Sequence, residues 1–312
     1  MSPSQHKPYI ALAGPGAVGG LLAASLRRSG NDVLLIGNGP AHVRELSRKG
    51  IIATDLRGKS RTYRGWLTIS ARPRSHRGCQ AVIITVKAPA LPAALRAVRP
   101  LVGPETAVVF LLNGVGHIDA AYRAFGTART VLGACYIAAM RTGRTSVVHT
   151  GGGGIALGRT KENLKAVDKA LRLLRGAEWA TRATDAPKRL LWTKTIYNAA
   201  VNPIGALTRK TNGELASIPA LRDLVSATVR EAAEIARRAG VPPVDRNPVA
   251  AVLRGCKAAP SQFNSMVQDV AAGRKTEIDS ILKPLIVEAK KQKRKTRYLE
   301  PLYQMMRRLE RR

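Results

Sequence analysis

The stretch that most narrows the fold is Gly14-Pro15-Gly16-Ala17-Val18-Gly19. The apolar run Tyr9–Ala13 precedes it and reads as a buried strand, and helical periodicity over residues 21–28 follows. Three glycines at this spacing, between a strand and a helix, suit a chain that must turn tightly, bring its backbone against a pyrophosphate and pack helix on strand. The phosphates then meet the helix N-terminus, where unsatisfied N–H groups point outwards. A second strand at Asp32–Ile36 continues the alternation. The motif predicts an α/β fold with a dinucleotide site at Gly14, Pro15, Gly16, Ala17, Val18 and Gly19. The plainer alternative is a structural glycine turn.

The end of the second strand is where such a site chooses its cofactor, an acidic residue holding the ribose of NAD and an Arg the extra phosphate of NADP. Here the strand ends at Gly37-Asn38, and Asn38 can hydrogen-bond either form. With no carboxylate, and with Arg44, Arg48 and Lys49 following, the site leans towards NADPH, NADH being the alternative.

Strand and helix signals go on alternating. Residues 81–86 read as a strand ending in Lys87, and residues 106–112 as one ending in Asn113-Gly114-Val115-Gly116. Ligands of open α/β sheets bind outside the carboxyl ends of strands, which makes Lys87 and Asn113 candidates over ordinary loop residues. Residues 131–139 read as a further strand, and residues 146–149 and 154–157 as an antiparallel pair around a glycine turn. That glycine run lacks the Lys and Ser/Thr of a phosphate-binding loop. A helix at 164–174 and an edge strand at 179–181 follow. From Pro187 onward the period is helical: 190–201, 219–239, 247–253, 261–271, Ile278–Lys291 and 301–310. The expected organisation is a Rossmann-type domain over residues 1–184 and an all-α domain over 185–312 that binds substrate and carries catalysis.

Within the first of those helices, Lys194, Asn198 and Asn202 stand four residues apart and share one face. Their neighbours Leu191, Trp192, Ile196, Tyr197 and Val201 are apolar. The stripe reads either as a snorkelling Lys with two solvated amides or as an active-site face with a Lys proton donor. Pro203 predicts a kink or an end at Asn202.

The net charge of +32 invites a phosphate-rich partner. The cations are spread along the chain, however, and aromatics make up only 4%, too few for a nucleic-acid stacking platform. The one dense block is Lys290, Lys291, Lys293, Arg294, Lys295 and Arg297, followed by Arg307, Arg308, Arg311 and Arg312. It reads as a solvated surface or as a weak polyanion site. Three cysteines without metal-like spacing, no apolar leader and no run of membrane length predict a soluble cytoplasmic protein without disulfides. The five histidines do not cluster, so no metal is expected.

In order and spacing, several segments resemble the ketopantoate reductase (2-dehydropantoate 2-reductase) family. They are the glycine motif, Val86-Lys87-Ala88, Asn113-Gly-Val-Gly116, Trp192-Thr-Lys194-Thr-Ile-Tyr-Asn198-Ala-Ala-Val-Asn202-Pro203, Asn212-Gly-Glu-Leu215, Ser265-Met-Val-Gln-Asp269 and Thr276-Glu277-Ile-Asp279. The resemblance covers nearly the whole chain. It implies an active site between a Rossmann domain and a helical domain, and NADPH-dependent reduction of 2-dehydropantoate to pantoate on the way to pantothenate and coenzyme A. It implies Lys194 as general acid and Asn198, Asn202, Asn212 and Ser265 as substrate ligands. Asn113 would touch both cofactor and substrate; Lys87, Ala139 and Glu277 would join the glycines at the dinucleotide. Two departures stand out. Asn38 replaces the usual Arg, and residues 291–299 replace the usual Gly and Pro-x-Asn segment. They leave open another small 2-oxo acid as substrate, and the charge leaves open a non-catalytic cofactor- or polyanion-binding protein. The expected assembly is a monomer or homodimer.

Overall fold

The computed structural model describes residues 8–37, 39–65, 68–70 and 78–311, so Asn38 lies outside the described residues. The chain divides into two compact units. One comprises Met1–Leu112 with Ile118–Pro187, the other Asn113–His117 with Lys188–Arg312.

The first unit is α/β. Its strands are β1 (Tyr9–Ala13), β2 (Asp32–Ile36), β3 (Ile51–Thr54), β4 (Ser60–Tyr63), β5 (Thr68–Ser70), β6 (Cys79–Ile84), β7 (Ala107–Phe110), β8 (Thr130–Arg141), β9 (Ser146–Gly158) and β10 (Ala180–Thr184). Its helices are α1 (Ala17–Arg28), α2 (Pro40–Lys49), α3 (Leu91–Val98), α4 (Ile118–Phe125) and α5 (Leu164–Gly176). The sheet order is β4-β3-β9-β8-β7-β6-β1-β2-β5, with β10 added on β9. From β5 to β8 every pairing is parallel. Such a sheet needs cover on both faces, which is why β1 and β7 are buried along their whole length. Leu22 and Leu26 of α1, and Val167 and Leu174 of α5, share one core with Leu12, Leu35, Ile83 and Val109.

The glycine-rich segment departs from expectation. Residues 146–158 form one strand, antiparallel to β8, rather than two strands around a turn. Register shifts between Cys135 and Ile137 and between Ala138 and Ala139 absorb the glycines as irregularities. A Cβ on Gly152, at φ 63°, would lie 2.0 Å from the Tyr136 carbonyl oxygen, so only glycine permits this pairing.

The second unit is helical: α6 (Pro187–Thr208), α7 (Asn212–Ser217), α8 (Pro219–Arg238), α9 (Pro248–Ala258), α10 (Ser265–Ala271), α11 (Ile278–Lys291) and α12 (Leu299–Leu309). Ile196, Ala200 and Ile204 of α6 pack in one core with Val229 and Ala233 of α8 and Ile281 and Leu285 of α11. Contrary to the sequence expectation, α6 runs through Pro203 to Thr208. A mid-helix proline costs about 3 kcal/mol through a lost hydrogen bond and a ring clash. Here the helix is buried on both sides of the proline, from Asn198 to Ala206, and that packing overrides the local preference. The Asn264 side chain also donates to the Val201 carbonyl at 3.1 Å. Cys79, Cys135 and Cys256 are buried and form no disulfide among the described residues. No helix among the described residues is long and apolar enough to cross a membrane.

Candidate active site

In the first unit the glycine motif joins β1 to α1. Gly14 has φ 91°, and a Cβ there would lie 2.8 Å from Val86. A Cβ on Gly19 would lie 2.2 Å from the Gly14 carbonyl oxygen and 2.4 Å from the Thr85 hydroxyl. Packing therefore demands both. Gly16 differs: its nearest neighbour would be the Gly14 carbonyl oxygen at 3.9 Å, so the protein itself leaves room for a side chain. Gly16 caps α1 with no side-chain hydrogen bond, and the first turn carries no acidic residue. An uncapped helix N-terminus beneath a bare backbone is an arrangement that suits a pyrophosphate. Thr85, which sequence reasoning missed, holds the turn by donating from its hydroxyl to the Gly14 carbonyl at 2.8 Å. Lys87 follows β6 and is exposed; Ala139 is half-buried in β8, opposite His149.

In the second unit, Lys194, Asn198 and Asn202 lie on one face of α6. Lys194 is half-buried, and both amides are buried. Asn113 belongs to the same unit, because Gly114 at φ 81° lets the backbone pass within van der Waals range of α11, where a Cβ would meet the Ser280 carbonyl oxygen at 2.0 Å. The Asn113 Nδ2 donates to Glu277 Oε2 at 2.9 Å, which fixes the amide and leaves its oxygen as an acceptor. The preceding residue is anchored, since the Thr276 N–H and hydroxyl both donate to Glu310 beyond α12, at 2.8 and 2.6 Å.

His117 ends the same short segment and is buried at 3% exposure. Burial, and secondarily the Lys194 cation, push its pKa down to about 4. Lys194 thus has a neutral imidazole in its electrostatic neighbourhood at ordinary pH. Sequence reasoning passed over His117 because a lone His has no spacing signature; its one signal was its place directly after Gly116.

Asn212 opens α7 behind a capping box, in which the Glu214 N–H donates to the Thr211 hydroxyl and the Thr211 N–H to Glu214. Its backbone donates to the Gln262 carbonyl at 2.9 Å. The Asn212 Oδ1 is buried with no hydrogen-bond partner among the described residues, an acceptor left for a ligand. Ser265 is the exposed first residue of α10. Asn264 positions it, accepting from the N–H groups of Met266 and Val267 while donating to α6 one residue before Asn202.

The first unit thus carries a glycine turn at the start of a helix, and the second a Lys on a face with buried amides beside an Asn–Glu pair. Residues 10–162 match the family model described as Ketopantoate reductase PanE/ApbA, and residues 188–310 match the model of its C-terminal domain. The chain belongs to the ketopantoate reductase family. It is accordingly an oxidoreductase of that family. A 2-dehydropantoate 2-reductase of Pyrococcus horikoshii is 29% identical over 284 residues, covering 90% of each chain. Among solved structures, a D-mandelate dehydrogenase with NADH and anilino(oxo)acetate superposes with TM-score 0.87 at 25% identity, covering 97% of this chain and 98% of that one. A probable 2-dehydropantoate 2-reductase from Bacillus subtilis does so with TM-score 0.78 at 27% identity, covering 96% and 99%.

Proposed function

We propose that the protein catalyses NADPH-dependent reduction of 2-dehydropantoate to pantoate, with Lys194 as general acid. The observation that carries this reading is the α6 face, where Lys194 stands in register with the buried amides of Asn198 and Asn202. The bare cradle at Gly16 fits a dinucleotide, held by the turn from Gly14 to Gly19 with Lys87 and Ala139 as further contacts. When bound, the dinucleotide supplies the hydride. As the carbonyl carbon is reduced, negative charge grows on its oxygen. The Lys194 ammonium donates a hydrogen bond to that oxygen and then delivers a proton to it. The neutral state of His117 matters here, because a second cation would repel the ammonium and lower its protonation. Asn198, Asn202 and the Ser265 hydroxyl hold the substrate's hydroxyl and carboxylate without adding charge. The orphan Asn212 Oδ1 accepts from the hydroxyl. Glu277 keeps the Asn113 amide oriented towards cofactor and substrate.

The choice of NADPH rests on the absence of an acidic residue after β2 and on the exposed Arg44 of α2, which has no carboxylate within 4 Å among the described residues. A second reading, reduction of a different small 2-oxo acid, is favoured by the likeness to D-mandelate dehydrogenase. Initial rates with 2-dehydropantoate and with the 2-oxo form of mandelate, each with NADPH and NADH, separate the two. The proposal expects kcat/KM to favour 2-dehydropantoate with NADPH by at least about tenfold, the discrimination a shaped pocket readily supplies. A preference for the aromatic acid would replace the substrate assignment and leave the reductase assignment in place.

A further inference from the structure

The basic block that the catalytic reading leaves unused does not form a uniform solvated surface. After α11 the chain reverses at Lys293, in the left-handed conformation at φ 55°, with the Arg294 N–H donating to the Ala289 carbonyl. The Gln292 side chain pins the loop to α8 by donating to the Ile235 carbonyl at 3.0 Å. Loop and helix line an open concavity of about 640 Å³, within the roughly 300–1,000 Å³ of small-ligand sites. Four cations line it, Arg230, Arg294, Lys295 and Arg297, against two carboxylates.

Both carboxylates are already engaged. Glu231 accepts from the backbone N–H groups of Arg297, Tyr298 and Leu299 at 2.5, 3.1 and 2.8 Å, closing off the N-terminus of α12. Glu234 receives Arg237 and Arg238 at 2.8 Å each, with Arg294 at 3.9 Å. Arg230, Lys295 and Arg297 have no carboxylate within 4 Å among the described residues. Three cations without a carboxylate partner therefore line one concavity, and a multiply charged anion there can engage more than one of them. Guanidinium groups match phosphate oxygens two at a time, which a compact oligophosphate exploits better than a single phosphate.

We propose that this concavity binds an oligophosphate group, whether free or carried by a nucleotide whose base meets the ring of Tyr298. The proposal is independent of the catalytic reading.

Calorimetric titration of the full chain in about 0.15 M salt, where only charges within about 8 Å act together, tests it. The probes are inorganic phosphate, tripolyphosphate, ATP and a single-stranded oligonucleotide, each with and without NADPH. The variants are Arg230→Ala/Lys295→Ala/Arg297→Ala and a control removing equal charge from the first unit, Arg57→Ala/Lys59→Ala/Arg61→Ala, all exposed. The expected result is one saturable tripolyphosphate site, stronger than for phosphate and indifferent to NADPH. The pocket variant should weaken it at least about tenfold and the control less than about twofold. Tighter pocket-dependent binding of ATP would assign the nucleotide-borne form. Absence of saturable binding, equal weakening by the two variants, or tighter pocket-dependent binding of the oligonucleotide would each overturn the proposal.

Discussion

At the scale of the residue, the most consequential side chain is one with no role in a motif. His117 stays neutral down to a pKa of about 4 because protonating it would place a charge in a dry interior beside Lys194. The unfolded chain takes up that proton near the ordinary value of 6.5. Between those two values the unfolded state binds more protons, so stability is lost as pH falls through the window and regained as it rises. The integrated effect is roughly 3 kcal/mol. His42, depressed by burial and by Arg141 and Arg144, adds a contribution of the same sign. Urea unfolding at pH 7 and pH 5 should therefore show a marked loss of stability in acid, and His117→Asn should flatten that loss whatever it does to stability at pH 7. An unchanged slope would mean that His117 is not buried as described. None of this was legible beforehand, since burial and the approach of Lys194 are tertiary facts.

At the scale of the element, local pattern proved a good guide wherever the apolar periodicity is unbroken by glycine or proline. β1, β2 and α11 keep the bounds that their apolar periodicity indicated, and the glycine turn sits where strand and helix required it. The failures are non-local. β9 runs straight through its glycines because β8 offers it a long antiparallel partner, and α6 runs through Pro203 because its flanks are buried. The three motif glycines separate packing from ligand demand. Gly19→Ala meets backbone at 2.2 Å and should cost about 1–3 kcal/mol in stability, as overpacking does. Gly16→Ala should melt within a few degrees of the parent, yet bind NADPH at least about tenfold more weakly. Thermal melts paired with fluorescence titration of NADPH check both. For α7, Thr211→Ala removes the capping box and should cost about 1 kcal/mol. Because that cap seats Asn212, steady-state kinetics should show KM for the oxo acid rising more than kcat falls.

At the scale of the whole molecule, the order of motifs along the chain pointed to the family that the matching models show. What the motifs lacked was the supporting shell: Thr85 behind Gly14, Asn264 behind Ser265 and Glu310 behind Thr276. Such residues act through single hydrogen bonds to distant segments and leave no periodic trace. The surplus of positive charge also changes its meaning once the fold is known, since Glu231 and Glu234 are engaged within the concavity while Arg230, Lys295 and Arg297 have no carboxylate within 4 Å among the described residues. The decisive measurement is turnover of 2-dehydropantoate with NADPH by Lys194→Ala, alongside the affinity of the same variant for NADPH. Loss of a general acid should lower kcat by about 10²–10⁴-fold while the dinucleotide affinity stays within about twofold of the parent. Near-normal turnover by a folded variant would contradict the assignment of Lys194, and with it the reading of the α6 face as the catalytic one.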